Sequence, residues 1–270
     1  MAPRRPALES RFWSQADIER DLGDPFKALV YAMPIAGFGL LLLSETAVWL
    51  FGYLGPRRRF ASLRHPVMSV HAISLLFYIS EPGAEACVMF DAFGRPLHPL
   101  RYVMWTISVS AMCFAIYLVV ENLLKEGKQY EEQRSYKATP LRNRFIDSLL
   151  GCYGTFVLGF LGSSIRMEGT YVPNAVFFTA STASFYRMVW QLSEMLHIAS
   201  NDPAVRRIGL SAQFVAIRIV VFIVWHSFPV VWLLGAFDLI TVFGEHMGYC
   251  MCDICAKYLL LFVYVSHVNA

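Results

Sequence analysis

Long apolar runs alternate with short polar segments along most of the chain. Seven runs approach the roughly 20 residues that an α-helix needs to cross a bilayer. Glycine, proline and charged residues separate them, as in LGPRRRF and NDPAVRR. The pattern predicts an all-α membrane protein, a seven-transmembrane-helix bundle over residues 28–268 that follows a polar segment over residues 1–27. The predicted spans are about 28–54, 66–81, 100–124, 145–166, 174–198, 210–236 and 239–266.

Composition agrees with this membrane interpretation. Of the 270 residues, 56% are hydrophobic and only 16% are charged, which is unusual for a soluble domain. The formal net charge of +3 is small and its basic residues are dispersed, so nucleic acid is not an expected partner. The first 26 residues are polar and lack the apolar core of a signal peptide, so we expect an N-terminus without a cleaved leader.

The basic residues predict the orientation of the bundle. The first, third and fifth loops hold 12 lysines and arginines, whereas the other three loops hold three. Cytoplasmic loops retain positive charge. We therefore expect an extracellular N-terminus, a cytoplasmic C-terminus and a multi-pass protein of the plasma membrane, with the lipid bilayer as its first partner.

The last apolar run contains two opposite charges, in the stretch MCDICAKYLLLFVYV. Asp253 and Lys257 are four residues apart, so on a helix they share one face and can interact. Ionisable residues inside a membrane are costly and usually functional. A buried lysine is also the residue type that forms imines with carbonyl compounds. A packed salt bridge and a covalent cofactor site are the two interpretations of this pair.

Three motifs beside DICAK are similar to the microbial (type 1) rhodopsins. RYVMW in the third span resembles that family's arginine, tyrosine, counterion and tryptophan segment. WHSFPVVW in the sixth resembles its tryptophan and proline wall, and FFTASTASF in the fifth resembles the segment around the retinal ring. The resemblance covers nearly the whole chain and implies all-trans-retinal as cofactor.

The resemblance also implies roles for individual residues. Lys257 would carry retinal and Asp253 would be its counterion. Met104 and Ser108 would lie near the attachment point, and no metal site is implied. The remaining implied pocket residues are Trp105, Trp225, Phe228, Pro229, Trp232, Ser181, Thr182, Phe185, Phe156 and Gly154.

Met104 departs from the proton pumps of that family, which have an aspartate at this position. Methionine cannot accept a proton, so a pump of the usual kind is not expected. With Arg101 and a protonated Lys257 facing Asp253 alone, the site would carry a charge near +1 and favour a bound anion. The stretch VMSVHAISLLFYIS of the second span has no carboxylate, which argues against cation conduction.

These observations leave three functions open. The first is a light-gated anion channel of channelrhodopsin type, conducting chloride along a path past Arg101, Asp253, Glu45 and Arg218. Channelrhodopsins have a cysteine and aspartate gate pair, for which this chain has Val109 and Tyr153.

The second is a sensory photoreceptor that acts through a partner or an enzyme domain on another chain; this chain itself is not expected to be an enzyme. The third is an inward chloride pump, because Ser108 and Ala115 match two of three halorhodopsin positions. The resemblance to channelrhodopsins also implies a homodimer.

Overall fold

The computed structural model describes residues 24–53, 61–80, 89–91, 95–129, 138–165, 170–207, 209–237 and 239–268. Within these ranges the chain forms seven long helices and one short helix. The predicted N-terminal segment lies mostly outside the described residues, among which the first helix begins at Asp24. The helices are α1 Asp24–Tyr53, α2 Ala61–Ser80, α3 Pro99–Gln129, α4 Ala138–Ser164, α5 Val172–Asn201, α6 Pro203–Arg207, α7 Ser211–Ala236 and α8 Val242–Val268.

A small β-hairpin precedes α3, where the sequence predicts only a loop. Strand β1, Met89–Phe90, pairs antiparallel with β2, Pro96–Leu97. Such short strands lack the alternating pattern by which a strand is recognised in sequence. The hairpin adds a minor β element to the predicted all-α architecture.

The long helices pack as a closed ring in chain order. Each packs against the next, from α1 through α5, then α5 against α7 and α7 against α8, and α8 closes the ring against α1. Additional contacts join α2 to α8 and α3 to α5 across the interior. Buried side chains such as Met104, Met112, Leu192 and Trp225 form one continuous core. Residues on α2, α3, α7 and α8 therefore meet at the centre of the bundle.

Three helices are long and apolar enough to cross a membrane, judged over the described residues. They are Pro99–Lys125 in α3, Pro140–Ser164 in α4 and all of α7. Apolar stretches of α1 and α2, Ala32–Ser44 and Pro66–Ser80, are shorter. The seven-span count and the orientation of the termini remain predictions, whereas the seven long helices are observed.

Glycines allow α4 and α5 to approach closely. A β-carbon on Gly151 would lie 2.8 Å from the backbone nitrogen of Met188, and one on Gly154 would lie 2.6 Å from Ser184 Oγ. Farther along α4, Gly159 and Gly162 face α5 in the same way. Small residues of this kind let membrane helices pack backbone to backbone. The two helices therefore lie side by side over most of their length.

Candidate functional site

A buried ion pair lies at the centre of the ring. Lys257 Nζ is 2.8 Å from Asp253 Oδ1, and the two side chains are only 1% and 2% exposed. Both residues lie on α8, one turn apart, as the spacing in the sequence predicts. The ion pair itself lies within one helix. Its connection to other helices therefore depends on the further hydrogen bonds that Asp253 and Lys257 make.

Two other helices donate hydrogen bonds to the Asp253 carboxylate. The Tyr78 hydroxyl of α2 donates to Oδ2 over 2.7 Å. The Trp105 indole Nε1 of α3 lies 3.0 and 3.1 Å from the two carboxylate oxygens. With Lys257, three donors surround one buried carboxylate, and hydrogen bonds to an ionised acceptor are the strong ones in proteins. Asp253 is thereby fixed between α2, α3 and α8.

Met104 occupies the other side of the lysine nitrogen. Its Sδ atom is 3.6 Å from Lys257 Nζ and 3.6 Å from Ser108 Oγ. Ser74 Oγ of α2 is 4.0 Å from the same sulfur. The ring of Phe38 lies 5.1 Å from Nζ and completes this surrounding. The lysine thus contacts one carboxylate and one thioether, and the thioether cannot take a proton.

An apolar cavity of about 340 Å³ extends from this lysine between α3, α4, α5 and α7. Its volume lies in the range of small-molecule sites. Aromatic rings provide much of its wall, and Trp105 packs against Phe156 and Phe228 at centroid distances of 5.9 and 5.6 Å. The predicted residues that line it are Trp105, Phe156, Ser181, Thr182, Phe185, Trp225, Phe228, Pro229, Trp232, Asp253 and Lys257.

Three predicted pocket residues lie outside that lining. Met104 lies next to the lysine nitrogen, and Ser108 contacts the Met104 sulfur. Gly154 faces Ser184 at the contact between α4 and α5, because it lies on the side of α4 that packs against α5. The neighbouring Thr155 and Phe156 line the cavity instead.

Several site residues were missed by the sequence analysis. Tyr78 contacts Asp253 from a helix 175 residues earlier in the chain, and no local pattern indicates such a contact. Tyr249 could have been predicted from the sequence, because it precedes Asp253 by four residues and therefore lies on the same helix face. Its ring packs 5.1 Å from that of Trp105. Other lining residues that were missed include Tyr102, Met112, Gly159, Phe178 and Met188.

A second buried ion pair connects the β-hairpin to α7 and α8. The Arg95 guanidinium is 2.7 Å from Asp91 Oδ2 and 3.3 Å from Glu245 Oε2. It also lies 5.5 Å from the ring of Trp232, which lines the cavity. Gly235 makes room for this contact, since a β-carbon there would lie 2.7 Å from Arg95 Nη1 and would overlap the Glu245 carboxylate.

This cluster corrects the predicted charge near +1. The predicted charge included only Arg101, Lys257 and Asp253. The structure adds one cation and two carboxylates to the same half of the bundle, so the described residues there include three positive and three negative side chains, whose formal sum is zero. The added groups are Arg95, Asp91 and Glu245.

Two histidines lie near Arg101. Arg101 Nη2 is 2.7 Å from His246 Nδ1, and its guanidinium lies 5.4 Å from the ring of Tyr249. The ring centroids of His98 and His246 are 6.4 Å apart. Burial and the nearby Arg101 charge lower the pKa of His98, which precedes α3, from 6.5 to about 3. The His98 imidazole is therefore neutral at ordinary pH.

The structure does not bring the predicted ion-pathway residues together. Arg218 on α7 donates from Nε to Ser193 Oγ of α5 over 2.6 Å and lies 3.1 Å from His197 Nδ1, so it contacts α5. The side chain of Glu45 lies outside the described residues. Of the three described side chains, Arg101 and Asp253 belong to the half of the bundle that holds the lysine, and Arg218 contacts α5 instead.

Tyr153, matched to the α4 position of the channelrhodopsin gate pair, does not face the interior. Tyr153 is 48% exposed on the outside of the bundle. Its neighbour Cys152 is fully buried and lies 3.5 Å from Ser110 Oγ of α3. A shift of one residue turns a helix by about 100°, which exchanges an outward position for an inward one. Val109 lines the cavity, as a residue next to the chromophore would.

A ring of helices around a buried lysine and an aromatic cavity defines a class of membrane protein that can hold an apolar aldehyde covalently. The sequence profile of bacteriorhodopsin-like proteins matches residues 56–269. The chain therefore belongs to the bacteriorhodopsin-like family of microbial rhodopsins, which are retinal proteins. A search of curated proteins finds no match.

Solved structures share this fold at low sequence identity. The transmembrane domain of Salpingoeca rosetta rhodopsin phosphodiesterase is 18% identical, with 94% of this chain and 89% of that chain covered and a TM-score of 0.67. Thermophilic rhodopsin from Rubrobacter xylanophilus is 19% identical over 88% and 95%, with a TM-score of 0.69. The red light-activated channelrhodopsin Chrimson is 17% identical over 89% and 78%, with a TM-score of 0.59. At these identities the similarity establishes the fold.

The residues of this chain fit retinal. An elongated apolar molecule with an aldehyde needs an amine at one end of an apolar cavity, and Lys257 is the lysine that lines this one. Three tryptophans, Trp105, Trp225 and Trp232, line the same space. Lys257 would hold the cofactor covalently, and Asp253 would provide the opposite charge for the attached nitrogen.

Proposed function

We propose that this protein is a retinal photoreceptor that does not transfer a proton to an acceptor on α3. The observation that carries the proposal is the contact between Lys257 Nζ and Met104 Sδ, at 3.6 Å. The thioether takes the place beside the nitrogen where a second carboxylate would receive a proton, and it has no titratable group. Retinal, when bound, supplies light absorption and a change of shape on isomerisation.

The surroundings of Asp253 support the same proposal. Its two oxygens already accept hydrogen bonds from Lys257, Tyr78 and Trp105. These donors come from α8, α2 and α3, so movement of the carboxylate would break contacts to three helices at once. Asp253 is therefore a fixed counter-charge, and movement of Lys257 would be transmitted to α2 and α3.

For the output of this photoreceptor, we propose a light-gated channel that conducts anions such as chloride. Polar groups without negative charge lie between α2, α3 and α8, namely His71, Ser74 and Ser108. Residues 61–80, which form α2, contain no aspartate or glutamate. Cation pores use rings of carboxylates, whereas hydroxyl and imidazole donors can solvate an anion. The protein would act in the plasma membrane and would not itself be an enzyme.

Whole-cell recording with retinal at two external chloride concentrations tests this channel. The expected result is a light-activated current whose reversal potential shifts by about 59 mV for a tenfold change in chloride. A current of one sign at every voltage would identify a chloride pump instead. A reversal potential that follows sodium or protons would reject anion selectivity.

A sensory photoreceptor is the second candidate, and the charge count favours it. Among the residues that the structure describes, three cations and three carboxylates in one half of the bundle balance and so provide no excess positive charge to attract an anion. The similarity in fold to a rhodopsin phosphodiesterase domain is compatible with signalling through another domain. A coloured protein that responds to light but gives no current would support this candidate over the channel.

A further inference from the structure

The cavity beside Lys257 reaches the surface of the bundle at one end. Most of its wall is buried or partly buried, and Lys257 itself is only 1% exposed. Four of the described lining residues are exposed, and all four lie beside the first turn of α5 or the last turn of α7. They are Tyr171, Ala175, Leu233 and Phe237, and they define the opening of the cavity.

A stacked pair of aromatic rings lies between this opening and the lysine. The rings of Phe178 on α5 and Trp232 on α7 have centroids 4.4 Å apart and planes within 17° of parallel. On α5 the residues of the opening precede Phe178, and the deeper lining residues follow it. On α7 the residues of the opening follow Trp232, and the deeper ones precede it. Both helices therefore place the stack between the opening and the compartment that contains Lys257.

The cavity is longer than the attachment of a cofactor requires. A molecule bound to Lys257 crosses the bundle from α8 to reach α5. The cavity wall also runs along α5 from Ala175 to Met188, and 13 helical residues span about 20 Å. The part of the cavity toward the opening therefore follows the helix axes and forms a passage into the binding compartment.

The surroundings of the opening are apolar. Tyr171 has an aromatic side chain of the type that is enriched at membrane interfaces. Asn174, a polar residue of the passage, donates from its amide to two backbone carbonyl oxygens near the end of α4. Large apolar side chains next to the opening are exposed on the outside of the bundle, namely Val172, Val176 and Leu239, at 67%, 60% and 68%. Such an opening suits an apolar molecule that is dissolved in the bilayer.

The two rings of the stack are held differently. Trp232 packs against the buried core and lies 5.5 Å from the Arg95 guanidinium, which is itself paired with Asp91 and Glu245. Movement of Trp232 would disturb these buried charges, which is costly. Rotation of Phe178 about its own side-chain bonds breaks only a contact between aromatic rings, which is much weaker. Phe178 is therefore the side chain that can clear the passage.

We propose that retinal enters from the lipid bilayer through the opening between α5 and α7, and that Phe178 turns aside to admit it to Lys257. The inference depends on retinal as the cofactor and is independent of the channel or sensor output. It gives a role to the exposed end of the cavity, which contact with a bound chromophore does not require.

Uptake of retinal by the retinal-free full-length protein in lipid nanodiscs tests the route. Ala175→Trp places a large side chain in the opening, so visible absorption should appear about tenfold more slowly, the effect of about 1.4 kcal/mol on a barrier. Val176→Trp is the matched control, because Val176 is the next residue, is 60% exposed and does not line the cavity. Both variants should reach the absorption maximum of the unaltered protein. Equal rates of uptake in the two variants would overturn the proposal.

Shortening Phe178 should have the opposite effect. Phe178→Ala removes the ring that closes the passage, so retinal uptake should be faster than in the unaltered protein. Quenching of tryptophan fluorescence follows entry independently of colour, because Trp105, Trp225 and Trp232 line the cavity. An unchanged or slower rate would show that Phe178 does not control entry.

A cysteine label closes the opening after the protein has folded. Ala175→Cys, treated with a bulky maleimide before retinal is added, should take up retinal slowly. The same treatment after retinal has bound should leave the colour unchanged. The unaltered protein, in which Cys255 is exposed, receives the same reagent as the control. Uptake by the labelled variant at the control rate would contradict the route, whereas an unaltered protein that stays colourless would overturn the retinal site and the route together.

Discussion

Two buried ion pairs of similar length lie in different surroundings. Lys257 and Asp253 are 2.8 Å apart on a single helix, and their outer contacts are an aromatic cavity and two donors from α2 and α3. Arg95 and Asp91 are 2.7 Å apart in a β-hairpin and reach Glu245 on α8. The first pair places the Lys257 amine at a cavity where it can react with an aldehyde. The second pair links the β-hairpin to α8.

The comparison shows that burial and pairing alone do not mark a functional site. Both pairs are almost inaccessible, and loss of one partner would leave an uncompensated charge in either case. The distinguishing feature is the space beside them. Lys257 adjoins a cavity of about 340 Å³, whereas Arg95 is surrounded by Trp232, Gly235 and the two carboxylates. Substitutions at the first pair should therefore change both colour and stability, whereas those at the second should mainly change stability.

Lys257→Ala should have the largest effect, the complete loss of covalently bound retinal. No amine would remain at the end of the cavity where Lys257 lies. The measurement is visible absorption after retinal is added to the purified protein. Lys125→Ala is the control, because Lys125 is 57% exposed and distant from the cavity, and it should remain coloured. A coloured Lys257→Ala protein would refute the attachment site.

Asp253→Asn should destabilise the fold and alter the colour together. Removal of one partner of a buried ion pair costs about 3–5 kcal/mol. The attached nitrogen would also lose its counter-charge, so visible absorption should become strongly dependent on pH. Denaturant unfolding followed by circular dichroism gives the first effect, and a pH titration of the spectrum gives the second. An unchanged spectrum would remove Asp253 from its proposed role.

Arg95→Gln should lower stability by about 1.5–3 kcal/mol, the scale of hydrogen bonds to charged groups. Asp91, which is 2% exposed, would lose its positive partner. The absorption maximum should shift less than in Asp253→Asn, since no contact joins Arg95 to the lysine–aspartate pair and its nearest approach to the cavity is the ring of Trp232. If Arg95→Gln shifts the colour as far as Asp253→Asn does, the two regions are not separate and the comparison fails.

Tyr78→Phe should have a smaller effect, because it removes one donor and leaves the ion pair intact. The lost bond is the 2.7 Å contact to Asp253 Oδ2. Bonds of this type contribute about 1.5–3 kcal/mol, and the lower end is expected because Trp105 still donates to the same oxygen. Denaturant unfolding of Tyr78→Phe is compared with that of Tyr102→Phe. The Tyr102 hydroxyl has only a 3.4 Å contact with Ser163, so its loss should cost less. Equal losses in the two variants would contradict a special role for Tyr78.

His98, which follows the hairpin directly, should give the smallest effect. This effect is a dependence of the free energy of unfolding on pH. Its pKa falls from 6.5 to about 3 in the folded protein because of burial and Arg101. Below pH 6.5 the unfolded chain binds a proton that the folded chain does not, so this contribution is complete above pH 6.5 and is lost as pH falls toward 3. Thermal unfolding at pH 7.5 and 4.5 should therefore differ less in His98→Asn than in the unaltered protein. An equal difference would show that His98 titrates normally.

Local patterns were enough for the helices and for the central lysine. The long apolar runs predicted seven long helices, which are the ones observed. The four-residue spacing of Asp253 and Lys257 predicted their contact. The hairpin was missed because two-residue strands carry no periodic signal. The gate position was assigned to Tyr153 because an α4 register wrong by one residue cannot be detected in an almost wholly apolar helix. In the structure Cys152 is buried beside Ser110, whereas Tyr153 is exposed.

The sequence by itself determined that the chain is a helical membrane protein with an amine and a carboxylate one turn apart, because helix periodicity and spacing are local properties. Tertiary structure alone decided how charge is distributed around that amine. Arg95, Asp91 and Glu245 are up to 154 residues apart in the chain and meet only because the ring of helices closes with the hairpin against it. Electrostatic energy depends on distance in space, so a count of charges along a sequence could not give the net charge of the site.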